Sequence, residues 1–402
     1  MESSKLFHKF QPGFRKDHSC HTSLTALIDA WLSAINDEEI TGAVFLDFKK
    51  AFDLVDHSIL LEKLHIYLRN KDAVAFFTSY LKDRKQFVSI NSCSSSTGIL
   101  THGVPQGSIL GPILFCIYIN DLPLCLEKDK ARCDLFADDS SVHAKAKTVK
   151  GVEIVLQDSL NKIDIWCNAN RMILNSDKTK SMVITTRQKH QLDTLYLKLS
   201  VNSSRIEQVS EHRVLGIVLD QEMKWEAHIR SLCKKLSRNL YLLSKLSSYA
   251  SRDALLMFYY AHILSHINYA SSVWDGAAEV HLKKVDSLHR RAAKIIGRGL
   301  QISTDDKQKH LNMLPLKKQF LYNKAVAMFK VFHGNAPSYL SSSFKKAASY
   351  RFNNFVLPLA RIDLVQNSFA FSGATTWNNL PSMVKKSRSL KSFKCNLMAF
   401  LE

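Results

Sequence analysis

Several features are missing from this chain of 402 residues, and each absence narrows what it can be. No apolar run approaches the roughly 20 residues that a membrane-crossing helix needs. The opening stretch MESSKLFHKFQPGF lacks the apolar centre of a secretory signal, so the expectation is an intracellular, non-secreted protein with no transmembrane segment and no membrane partner. The eight cysteines (Cys20, Cys93, Cys116, Cys125, Cys133, Cys167, Cys233 and Cys395) form no CxxC pair and no Cys/His cluster at zinc spacing. That pattern argues against a disulfide framework or a zinc finger and for reduced, mostly buried thiols. There is no internal repeat and no low-complexity segment longer than a few serines. With 46% hydrophobic and 10% aromatic residues, the composition is that of a globular protein long enough for two or three domains.

Acid is scarce too, but only in one part of the chain. Residues 225–402 hold 9 Asp/Glu against 27 Lys/Arg, whereas residues 1–224 hold 27 against 28. Nearly all of the net charge of +19 therefore lies in the second part. Such asymmetry suits a division in which the second part faces a polyanion, nucleic acid being the natural candidate, and the first does chemistry that needs acids. A merely solvated basic face is the simpler alternative.

Apolar spacing predicts a helix over 20–36, a buried strand in GAVFLDF that runs into Asp47, and a helix over 57–68. QFVSIN and TGILT around SCSSS read as a hairpin, and GVPQGSILGP as a loop opening a helix at about 110–119. Strands flanking ADDS predict a second hairpin with its turn at the acids, followed by a helix over 152–169 and a strand in KTKSMVITT. The expected class is α+β, an antiparallel sheet with helices on one face. From Trp225 onward the pattern is helical: a basic amphipathic helix, a nearly all-apolar helix in SRDALLMFYYAHILSHINYA, and a third, basic helix ending in glycines. Boundaries are expected near 224 and, less sharply, in 301–310, dividing the chain into 1–224, 225–300 and 301–402.

Asp47 closes a strand, and Asp138 with Asp139 occupies a hairpin turn 91 residues later. One strand-end carboxylate usually caps or turns; two such sites in one sheet would repel each other unless a divalent cation neutralises them. Magnesium takes hard oxygen ligands, often one or two carboxylates plus substrate phosphates. Two such ions about 3.5–4 Å apart serve in-line phosphoryl displacement.

VFLDFKKAFDLVDHSILLEKL, GVPQGSILGPILFCIYINDLP, LFADDS and LNSDKTKSMVI, in this order and at these separations, resemble the successive palm motifs of reverse transcriptases of the non-LTR (LINE-type) retrotransposon family. GFRKDHSCHTSL is similar to that family's fingers segment, and RVLGIVLDQEMKWEAHI to its primer grip and thumb entry, with Val214 where the family often has Tyr. The segments LPLKKQFLYNKAVAMFKVFHGNAPSYL and FSGATTWNNLPSMVKKSRSLKSFKCNLMAFL are similar to C-terminal parts of such proteins. The resemblance implies a right-hand polymerase fold with palm and partial fingers over 1–224, a thumb-like region over 225–300 and a mostly helical C-terminal region. It also suggests a copy shortened at its N-terminus, without the upstream fingers segment, the endonuclease domain or a zinc knuckle.

The resemblance further implies residue roles. Asp47 and Asp138 would hold two Mg2+ ions (Mn2+ possible), with Asp139 beside them. Phe52 would form the floor under the incoming sugar and select deoxynucleotides. Gln106 and Gly107 would lie at the nascent base pair. Lys178 would sit near the triphosphate, with Lys180 as a competing choice, and Arg15 would contact the triphosphate. Gly103 and Gly111 read as turn and helix-start residues, and His57 has no assigned role beyond capping or structure. The implied partners are an RNA template, a DNA primer and dNTPs, with no obligate protein partner. Two other readings stay open: a catalytically silent nucleic-acid-binding remnant, and a two-metal nuclease.

Overall fold

The computed structural model describes residues 6–126, 130–192, 195–347 and 353–401. In chain order the elements that matter first are α1 (Cys20–Asn36), β1 (Ile40–Leu46), α2 (His57–Leu68), α3 (Lys71–Leu81), α4 (Leu110–Ile119), β2 (Ala131–Phe136), β3 (Asp139–Ala146), α5 (Val149–Ala169), β4 (Lys180–Ile184) and β5 (Glu207–Gln208). By contacts the chain divides into one unit of residues 1–19 and 39–210 and a second of 20–38 and 211–402. The contact division thus falls between Ser210 and Glu211, while the composition changes near 224, and α1 packs with the second unit.

The first unit is built on a five-stranded sheet in the order β5-β4-β1-β3-β2. All its pairings are antiparallel except β5 with β4. The expected hairpins form. Residues 85–86 pair with 98–99 and residues 89–90 with 93–94, while β2 and β3 are joined by a two-residue turn, Ala137–Asp138. Central β1 is buried at every position, which is why it reads as a continuous apolar run rather than an alternating one. Gly42 lets α5 settle against the strand: a Cβ there would lie 2.4 Å from Val152 Cγ1 and 2.8 Å from Leu156 Cδ1. Thr148 caps α5 through its side chain, and Val152, Leu156, Leu160 and Ile163 form its buried stripe. These residues share one core with Val44, Leu46, Leu114, Phe115, Leu135 and Val142, each fully buried side chain contributing roughly 1.5–3 kcal/mol.

In the second unit β6 (Glu211–Val214) and β7 (Ile217–Asp220) form a hairpin. Its turn residues, Leu215 (φ 44°) and Gly216 (φ 82°), are both left-handed, as a two-residue hairpin turn favours. Val214 ends the first strand of this hairpin. Helix α6 (Glu226–Leu246) buries Ile229, Leu232, Leu236, Leu240 and Leu243 and exposes Lys234, Lys235 and Arg238. The stretch expected as one nearly all-apolar helix is helical without a gap from Arg252 to Asn268, but not uniform. It comprises α7 (Arg252–Tyr259), a π turn over Tyr260–Leu264 and a short helix over Ser265–Asn268. Within residues 252–268 only Leu255, Tyr259, Ile263 and Ile267 are buried, while Met257 and Tyr260 are exposed. A buried residue every four positions exceeds the 3.6 of a straight α-helix, and the wider turn absorbs the difference. Helix α8 (Glu279–Ile296) ends at Gly297, and α9 (Leu316–Phe332), α10 (Phe369–Asn378) and α11 (Leu390–Leu401) enclose an aromatic core of Phe329, Phe369, Trp377 and Phe393. Asp29 of α1 accepts from the first amides of α10, Phe369 N (2.7 Å) and Ala370 N (2.8 Å).

All eight cysteines are free; Cys116, Cys133 and Cys167 are buried, Cys93 and Cys395 exposed and the rest half-buried. Among the described residues, no helix is long and apolar enough to cross a membrane.

Candidate active site

The acidic groups gather at one end of the sheet because of its register. Leu46 pairs with Ser140 and Phe136 with Asp139, so the residue after β1, Asp47, comes opposite the start of β3. Asp47 is held on its other side as well: its N–H donates to Thr179 Oγ1 (3.3 Å) and its carbonyl accepts from Asn175 N (2.7 Å). Next to it Phe48 bridges to Leu174, so pairing continues past the strand end. Asp138 is exposed in the turn, and the preceding Ala137 carries φ 57°.

Burial, then the charges of Asp138 and Asp47, raises the Asp139 carboxyl above its usual range. No Lys, Arg or His side chain forms an ion pair with Asp47, Asp138 or Asp139 among the described residues. Nor does any group of three or more His, Cys, Asp or Glu there suffice to enclose a metal ion. Mutually repelling, unneutralised hard oxygens open to one side fit a cation shared with substrate phosphates better than one caged by protein.

Beside the acids, the turn after Phe48 presents Phe52. Its half-buried ring stacks on fully buried Phe115 of α4 at 4.4 Å between centroids. Val104 N donates to Phe52 O (3.0 Å) and Gln106 Nε2 to Asp53 Oδ1 (3.0 Å), so the loop before α4 lies against this turn. Gly107 has φ 77° and open space where a Cβ would stand. Gly111 is needed for contact, since a Cβ there would lie 2.5 Å from Pro105 O. A cavity of about 680 Å³ opens beside these loops, with Lys50, Arg84, Lys85 and His102 in its wall along with Asp53 and Gln106.

The structure separates the two candidate lysines. Lys180 is engaged by Asp177 O (2.6 Å) and Glu207 Oε2 (2.7 Å), whereas Lys178 is exposed in the turn before β4. Arg15 is placed differently from Lys178: its guanidinium donates to His8 O (3.1 Å) and Gln11 O (3.0 Å) and lies over the Phe7 ring.

Gln11 belongs to no motif that the sequence sets apart. This fully buried amide accepts from Gly13 N (3.2 Å) and Ala137 N (3.4 Å), bracing the acidic turn from beneath. A Cβ on Gly13 would come 2.8 Å from Ala137 N, and Leu135 N donates to Phe10 O (2.9 Å). The only signal was the short QPGFR stretch itself.

A mostly antiparallel sheet whose central strand delivers one carboxylate opposite a hairpin, with a second in its turn and a third at the start of its return strand, has the arrangement of a polymerase palm. Residues 1–219 match the family described as reverse transcriptase (RNA-dependent DNA polymerase), and the chain belongs to that family. It is similar to the RNA-directed DNA polymerase from mobile element jockey of Drosophila funebris, at 28% identity over 304 residues, 73% of this chain and 32% of that protein. It is also similar to the probable RNA-directed DNA polymerase from transposon BS of Drosophila melanogaster, at 27% identity over 306 residues, 74% of this chain and 33% of that protein. These relatives bear out the resemblance to the non-LTR retrotransposon type. The chain spans about a third of their length. Among solved structures, apo telomerase from Candida tropicalis is similar over 79% of this chain and 53% of that one, with a TM-score of 0.43 and 9% identity.

Proposed function

We propose that this chain carries the polymerase centre of an RNA-directed DNA polymerase of non-LTR retrotransposon type, extending a DNA primer along an RNA template with dNTPs. One observation carries the reading: the register of β1 with β3 brings Asp47 to the end of the hairpin that holds Asp138 and Asp139, with no cationic side chain paired to them among the described residues, in the unit that also presents Phe52 and the Gln106–Gly107 loop. Asp47 and Asp138 would hold Mg2+ or Mn2+, which when bound supplies activation of the primer 3′-hydroxyl and neutralisation of the departing pyrophosphate.

The protein's own groups orient and select. Phe52, backed by Phe115, would lie under the sugar and leave no room for a 2′-hydroxyl. Gln106 and Gly107 would face the nascent base pair, the absent Cβ of Gly107 leaving room for close approach. Lys178, with its side chain exposed, would neutralise the triphosphate. A contact from Arg15 to the triphosphate would require its guanidinium to leave the carbonyls of His8 and Gln11. Residues 1–224 would serve as partial fingers and palm, and the basic region 225–300 as a thumb gripping duplex phosphates without sequence readout, followed by the C-terminal region 301–402. The free thiols support a reducing compartment.

Primer extension on an RNA template in Mg2+ tests the reading. Asp138→Asn and Asp47→Asn should each lower the rate by about a thousandfold, the factor that roughly 4 kcal/mol of lost transition-state stabilisation implies. Unchanged extension by either variant overturns the site. Salt-sensitive binding with no dNTP incorporation by the unaltered chain would instead support the silent-remnant reading.

A further inference from the structure

Asp56 and His57 lie outside the acidic cluster, yet their side chains join three segments that carry the nucleotide-facing groups. The two oxygens of the Asp56 carboxylate do different work. Oδ1 caps α2, accepting from Ser58 N (2.8 Å) and Ile59 N (3.1 Å). Oδ2, which a cap does not need, receives the Arg171 guanidinium and lies 3.3 Å from His102 Nε2. The carboxylate is nearly inaccessible, its side chain only 4% exposed.

His57 Nε2–H donates to Gly103 O (2.7 Å), which fixes the tautomer when the ring is neutral. Gly103 and its neighbours are the residues that bring Gln106 to the Phe52 turn. Gly103 N donates to Val55 O (2.8 Å), and Asp56 bridges to His102. At φ 86°, with Asp53 O 3.2 Å from where a Cβ would be, only glycine seats the loop this closely. The third segment is reached through Arg171 and through Tyr118, whose hydroxyl accepts from Asp56 N (3.4 Å) and donates to Asn170 O (2.5 Å). Three residues beyond Arg171 the chain pairs with Phe48 at Leu174 and then leads to Lys178.

We propose that Asp56 and His57 are positioning residues that fix the spacing between the Phe52 floor and the Gln106–Gly107 loop, and thereby the affinity and sugar selection for the incoming deoxynucleoside triphosphate. The inference rests on the polymerase reading of this site, and two readouts keep the ideas separable.

In the full chain, His57→Phe keeps a ring and removes the donor, while His57→Gln restores an N–H. His57→Phe should accelerate amide hydrogen exchange across residues 101–107 by about fivefold, leaving the β1 and β3 amides unchanged. It should raise KM for dNTP by about tenfold with kcat little altered, and narrow the preference for dNTP over rNTP. His57→Gln should recover most of each effect. If exchange at 101–107 is unchanged in His57→Phe, the tie does not exist. If exchange rises and KM does not, the tie is structural only; either result overturns the proposal. A wild-type chain that extends no primer removes the polymerase reading and with it the nucleotide role, whatever the exchange shows. Should His57→Phe fail to fold, Asp56→Asn, which keeps a capping oxygen and loses the charge facing Arg171, is read in the same way.

Discussion

Asp138 and Asp139 are neighbours in sequence but stand in different surroundings. Asp138 is the second residue of the turn, whereas Asp139 begins β3 and pairs with Phe136 across the hairpin. Burial and the two neighbouring carboxylates raise the pKa of Asp139, and a bound divalent cation would reverse that shift. The pairing of the acids was legible as adjacency, but the division that leaves Asp138 in the turn and Asp139 in the strand needed the register. Phe52 offers the sharpest test at this scale. Replacing it with Ala removes the ring stacked on Phe115 and should raise rNTP incorporation relative to dNTP by about tenfold or more, read from competitive single-nucleotide extension. A ratio that does not move would sink the sugar-floor role. Lys178 and Lys180 could not be told apart by sequence, because both lie in one turn-to-strand stretch. The bond of Lys180 to Glu207 comes from a segment 27 residues away.

At the scale of elements, the strands, hairpins and amphipathic helices were legible where one periodicity ran unbroken. Residues 20–36, 57–68 and 110–119 form helices as their apolar spacing indicates. In the stretch 251–270 the helix was legible but its burial was not: packing buries Leu255, Tyr259, Ile263 and Ile267, four residues apart, and a π turn accommodates that spacing. The contact of α5 with β1 at Gly42 is another feature no local pattern announces. Gly42→Ala would press a methyl group into Val152 and Leu156, both inaccessible, and should cost about 1–3 kcal/mol, measured as a lower urea midpoint. Val152→Ala in the same chain should recover part of that loss, since the two substitutions share one contact. Full additivity would show that the helix does not pack there.

For the molecule as a whole, buried histidines set the response to acid. Burial lowers the pKa of His21, His143, His228 and His289 from 6.5 to about 4 each. Between pH 6.5 and 4 the unfolded chain therefore binds protons at these sites that the folded chain refuses, and stability falls as pH falls through that window. Asp29 opposes this: burial raises it from 3.8 to about 7 against the amide bonds from Phe369 and Ala370, so the folded chain holds its proton over much of the same range. His289 isolates one contribution, being fully buried with Nε2 2.7 Å from the Tyr259 hydroxyl. His289→Phe should flatten the dependence of unfolding free energy on pH near pH 5 by up to about 1.4 kcal/mol per pH unit, read from urea unfolding at pH 5 and 6. A slope equal to that of the unaltered chain would contradict a neutral, buried His289.

Charge asymmetry, the order of the motifs and the positions of Asp47, Asp138, Phe52 and Gln106 within them could all be read from the chain alone, because each is local in sequence or cumulative over it. The convergence of the acids was decided by the antiparallel register of β1 with β3, a pairing between segments about a hundred residues apart that no local signal encodes. The bracing of the acidic turn by Gln11, the attachment of Arg15 to main-chain carbonyls and the bond of His57 to the Gly103 carbonyl were decided in the same way. A polar side chain's partner depends on which distant carbonyl or amide the fold brings within about 3 Å of it, and that distance exists only once the sheet has formed.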